Sequence, residues 1–152
     1  METNTNDMVQ YSFMLVLYLA TQFIPLDKQG VISFFDPEAE RTIVLLVSYN
    51  KSEKKWDVKE KLKPQEVFKM VIDDKKHSIR VEGVNEEPLL ITEYLALKDG
   101  QKILFKKIKK IDISTNFKND NEEISVLMKK NELTLFQNKG FLESLKTIKI
   151  TY

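Results

Sequence analysis

The run from Met8 to Ile24, MVQYSFMLVLYLATQFI, carries no charged residue, follows an acidic leader and is closed by Pro25. Such a stretch has few fates: a secretory signal, a membrane span, a buried helix or the seam of an oligomer. A signal needs a positive region ahead of its apolar part, whereas the leader METNTND holds Glu2 and Asp7 and no Lys or Arg. A span needs about 20 mostly apolar residues and a basic flank to orient it. This run is shorter, contains Gln10, Ser12, Thr21 and Gln22, and has only Lys28 nearby. The sequence thus predicts a soluble, cytoplasmic chain.

At helical spacing Phe13, Val16, Leu17, Ala20 and Ile24 share one face, and Leu15, Tyr18 and Leu19 cover much of the rest. A helix that is apolar nearly all round is buried by its surroundings. The strand alternative would be longer than the usual five or six or so residues, and Leu, Met, Ala and Gln favour helix. The expectation is a long apolar N-terminal helix over 8–24, behind a disordered leader of residues 1–7. It would serve either as core, roofing a sheet, or as an oligomer seam, with Phe13, Val16, Leu17, Tyr18 and Ile24 as the interface residues.

Alternation governs the sequence that follows. VISFF (31–35) and TIVLLVSY (42–49) read as strands joined by the DPEAE loop, and KWDVKEKL (55–62) as a half-exposed strand. KPQEVFKMVIDD (63–74) changes period: Pro64 suits a first helical position, and Val67, Phe68, Val71 and Ile72 form a stripe, which predicts a short inner helix. SIRVEGV (78–84) returns to alternation. LLITEYLAL (89–97) admits helix or strand and is taken as strand. ISVLMKKNELTLFQ (124–137) is a hairpin about Lys130–Asn131, and LKTIKITY a final strand. The sum is one α+β domain over 1–152, a mainly antiparallel β-sheet with one long and one short helix. A chain of 152 residues with 42% hydrophobic content can build one real core.

Chemistry is harder to find. With no cysteine, thiol catalysis and thiolate metal sites are excluded. His77 is the only histidine, beside Asp73 and Asp74, too few groups to fix a metal or acid–base geometry. Asp36 followed by Asp57-Val58-Lys59 has the form of a metal-dependent nuclease motif, a cheap match in a chain with 31% charged residues. Glu86–Glu87 and Glu122–Glu123 are adjacent pairs that define no cleft. No catalytic residue, metal ligand or cofactor is assigned, and no motif implies a small-molecule ligand.

The net charge of +1 gives no global field. The cations are nearly all Lys, which weakens specific nucleic-acid readout and has a plain source in AT-rich codons. They cluster at Lys98, Lys102, Lys106, Lys107, Lys109 and Lys110. That cluster could meet anionic lipid or a phosphate backbone, or guard an edge strand against pairing. The sequence thus points to a non-enzymatic binding protein, an assembly component, adaptor or inhibitor with a protein partner or self-association. A peripheral anionic-membrane or nucleic-acid module using the lysine cluster is the alternative.

Overall fold

The computed structural model describes the backbone of residues 5–90, 115–118, 123–139 and 147–152, and side chains within 13–90, 125, 127–136 and 147–152. Among the described residues one helix, α1 (Thr5–Phe23), precedes ten strands: β1 (Gly30–Asp36), β2 (Arg41–Asn50), β3 (Lys55–Glu60), β4 (Val67–Asp73), β5 (Ser78–Val81), β6 (Leu89–Leu90), β7 (Thr115–Lys118), β8 (Glu123–Lys129), β9 (Glu132–Lys139) and β10 (Thr147–Thr151). All pair antiparallel in a single sheet of order β6-β5-β4-β3-β2-β1-β10-β9-β8-β7. Two meanders therefore meet at the β1–β10 ladder, where Ile32 stands opposite Ile150.

The predicted fold class is corrected in both of its helices. The stretch read as a short inner helix is β4, paired with β3 through Trp56↔Met70 and with β5 through Ile72↔Ile79. Val67 and Val71 on its outward side are as apolar as its inward side, which hid the alternation. Pro64 serves a different purpose: Glu66 N–H donates to the Lys63 carbonyl at 3.1 Å, so Pro64 holds the second place of a β-turn, where its fixed φ is equally at home. The β-branched residues then favour strand. The long apolar N-terminal helix is corrected to a shorter packed segment. Although α1 starts at Thr5, its described side chains belong to 13–23, about three turns. Among the described residues no helix is long and apolar enough to cross a membrane.

That segment is the centre of the molecule. From Met14 to Ala20 every side chain is at most 1% exposed, and seven consecutive residues point in every direction around a helix. The rest of the chain therefore surrounds it. Phe13 packs on Phe34 of β1 (ring centroids 5.8 Å) and Phe23 on Tyr152 beyond β10 (5.2 Å). The inward sheet residues alternate as strands require: Ile32 and Phe34, Ile43, Leu45 and Val47, Trp56 and Val58, Ile79 and Val81, Leu133 and Leu135, Ile148 and Ile150 are all buried. They form one continuous core with the helix.

Three hairpins share one loop design. Asp36, Asn50 and Asp73 each close a strand, and each accepts a backbone N–H two residues on, from Glu38, Ser52 and Lys75. Four residues after each, Glu40, Lys54 and His77 take the left-handed conformation (φ 52°, 57° and 51°) that returns the chain to the next strand. The expected strand over 78–84 stops early for a related reason. The Asn85 side chain accepts from Val81 N–H at 2.7 Å and donates to the Ile79 carbonyl at 3.1 Å, taking up ladder groups of β5.

Where α1 hands over to β1, Gly30 lies against Ile24. A Cβ at Gly30 would fall 2.1 Å from Ile24 Cδ1 and 2.7 Å from Cγ1, and Ile24 is itself buried. Gly30→Ala is expected to lower stability by about 1–3 kcal/mol through overpacking, read from urea unfolding. In an Ile24→Ala background the same change should cost much less, since the opposing atoms are gone.

Candidate binding cleft

The helix does not fill the sheet's concave face evenly. At the end of the sheet where β1 and β3 finish and β2 and β4 begin, a cleft of about 270 Å³ remains between α1 and the strands. Its walls are Phe13 and Leu17 of α1, Phe34 of β1, Ile43 and Leu45 of β2, Val58 of β3, Phe68 of β4, and Val81 and Val84 at the end of β5. Phe68 is 43% exposed and marks the open side. Among the described residues, the polar side chains in the lining are Asp36, the last residue of β1, and Glu60, the last of β3.

Their surroundings are defined. Asp36 and Arg41 stand opposite each other in the β1–β2 ladder. Arg41 reaches across to donate to Glu60 Oε1 at 2.5 Å, and the Glu60 side chain is only 17% exposed. One carboxylate of the cleft is thus matched by a guanidinium, while Asp36 Oδ1 accepts from Glu38 N–H at 2.9 Å. Two carboxylates against one guanidinium give the described residues of the mouth an excess negative charge.

The other end of the helix is polar. The Tyr18 hydroxyl and His77 Nδ1 are hydrogen-bonded at 3.2 Å, and Gln22 Nε2 donates to Asp74 Oδ1 at 3.1 Å. Both bonds tie α1 to the β4–β5 turn. Burial first, and then the charges of Asp74 and Asp73, push the Tyr18 hydroxyl well above the usual phenol range. It therefore stays protonated and able to donate through the physiological range. A smaller void of about 140 Å³ lies beside this tether, lined by Thr21, Gln22, Leu26, Tyr49, Lys54, Trp56, Ile72 and Asp74.

The sequence-derived candidates separate accordingly. Phe13 and Leu17 line the cleft; Val16, Leu17, Tyr18 and Ile24 are buried in the chain's own core, and Phe13 is partly buried against it. Asp36 and Asp57 do not assemble: Asp36 lines the inner cleft, whereas Asp57 points to the outer face and binds Lys69 at 2.6 Å. That contact and Glu53 hold the Lys69 ammonium above its usual range. His77 is engaged with Tyr18, and Asp73 with the turn backbone. No group of three or more His, Asp or Glu side chains suited to a metal occurs among the described residues. Lys98, Lys102, Lys106, Lys107, Lys109 and Lys110, and the 91–97 part of LLITEYLAL, lie outside the described residues.

Comparison with known protein families, curated proteins and solved structures finds no match to this chain. The cleft itself is the feature that sequence reasoning missed. Alternation on β1, β2 and β3 identifies the inward side chains. Nothing in it says where the helix leaves a gap above them.

Proposed function

We propose that the protein is a non-enzymatic binding protein that holds a small apolar molecule in the cleft between α1 and the sheet. The observation that carries this reading is the cleft's lining: among the described residues nine apolar side chains from one helix and five strand segments border about 270 Å³, with carboxylates only at Asp36 and Glu60. Sites for small ligands are concave, largely apolar and furnished with a few placed polar groups. A dry cavity of about 150 Å³ accommodates benzene, so this one suits a bicyclic ring or an alkyl chain of about eight carbons.

Filling the cleft tests the reading. Ile43 borders it from β2 and is 8% exposed. In Ile43→Trp the indole is expected to occupy the void, weakening binding of a neutral naphthalene fluorophore by tenfold or more, roughly the loss of a buried apolar contact surface. Circular dichroism should be unchanged. An affinity equal to that of the unaltered protein would remove the cleft from consideration.

Contact with a protein partner or a second copy is a separate reading. It draws support from Leu127 and Phe136, which stand diagonally across the β8–β9 ladder and are 42% and 41% exposed.

A further inference from the structure

The carboxylates at the mouth bear on which apolar molecules the cleft takes. We infer that the preferred ligand is an organic ammonium ion, an apolar body carrying one positively charged nitrogen, with the body in the cleft and the nitrogen between Asp36 and Glu60. This inference rests on the cleft reading above and names its ligand class.

Three observations support it. First, among the described residues the lining contains two carboxylates and no cationic side chain, so a ligand carboxylate would meet like charge, which costs affinity and rejects the wrong partner. Second, Arg41, which stands opposite Asp36 in the β1–β2 ladder, is already committed. It sits outside the lining and donates to Glu60 Oε1, leaving the described residues of the mouth one negative charge in excess. Third, the loops that border the same end add Glu38 and Glu40 between β1 and β2 and Glu86 and Glu87 before β6. None of these four is in an ion pair among the described residues. Against them stand Lys61 and Lys63 in the β3–β4 turn and Glu66 beside them, so among the described residues the rim stays acidic. An ammonium group gains charge-assisted hydrogen bonds there that an alcohol of the same chain length cannot match.

The test displaces the naphthalene fluorophore with octylammonium, 1-octanol and octanoate, three probes sharing one chain and differing in head group. Octylammonium is expected to bind about tenfold more tightly than octanol, as one hydrogen bond to a charged group supplies, with octanoate weakest. Asp36→Asn keeps the turn acceptor and Glu60→Gln keeps the acceptor for Arg41, so both should fold. Each should cut the roughly tenfold advantage of octylammonium over octanol. Raised salt should erode the preference in the same direction. Equal binding of all three probes, or tighter binding of octanoate, overturns the ammonium inference while the cleft reading stands. A fluorophore that none displaces, and that Ile43→Trp does not affect, overturns both.

Discussion

Val16→Asp is expected to unfold the chain rather than release a folded monomer from an oligomer. Val16 is 0% exposed, in the middle of seven residues that the chain itself encloses. Its neighbours in the core are apolar, so the new carboxylate has no partner and either stays charged at a cost of several kcal/mol or is forced to take up a proton. A domain of this size has about 5–15 kcal/mol to lose in total. A helix that served chiefly as a seam between subunits would behave differently, since the same charge would disrupt association and leave each subunit folded. Far-ultraviolet circular dichroism with sedimentation velocity distinguishes these outcomes. Loss of ordered signal is expected, and a folded, smaller species would contradict the placement of α1 inside its own sheet.

Leu17→Ala is the second large effect, and it reads two properties at once. Leu17 is 0% exposed and also forms a wall of the cleft. Truncation removes buried methyl groups and merges the vacated space with an existing void, so the surroundings have little to close over it. A loss of about 2–5 kcal/mol is expected from chemical denaturation. At the same time the enlarged cleft should accept longer chains: in the variant the preference among alkyl alcohols should move to a chain longer by one or two or so carbons. Stability loss without a change in chain-length preference would separate Leu17 from the cleft.

Much of the fold is legible in the sequence, and the failures have identifiable causes. KWDVKE announces a strand because its inward and outward residues differ in kind, TIVLLVSY through its β-branched and aromatic content, and ISVLMKKNELTLFQ through two runs of strand formers about Lys130–Asn131. VFKMVID does not, because Val67 and Val71 place apolar groups on the outer face and Pro64 satisfies a β-turn as well as a helix start. The repeated loops closed by Asp36, Asn50 and Asp73 are written plainly, an Asx residue followed by four polar or small residues. What hides their shared geometry is that the left-handed position falls on Glu40, Lys54 and His77 rather than on glycine. TNFK, which forms β7, is too short and too polar for its period to speak.

The cleft is less legible than the fold. Phe13, Phe34, Ile43, Leu45 and Val58 can each be called inward from periodicity alone. Whether inward side chains meet or leave a gap depends on how far α1 extends over the strand ends, which is a tertiary quantity. The carboxylates illustrate the same limit. Asp36 draws attention for a metal motif it does not form, and Glu60 draws none, yet the two strand ends bring both to one mouth.

The central claim is that the space beside α1 is a binding site. Its most direct test is a titration of isotope-labelled protein with 1-octanol, followed by methyl and aromatic NMR. Saturable shifts are expected on Phe13, Leu17, Phe34, Ile43, Leu45, Val58 and Val81, side chains that border the void. Shifts centred on Leu127 and Phe136 instead, or none up to the solubility limit of the probe, would contradict it.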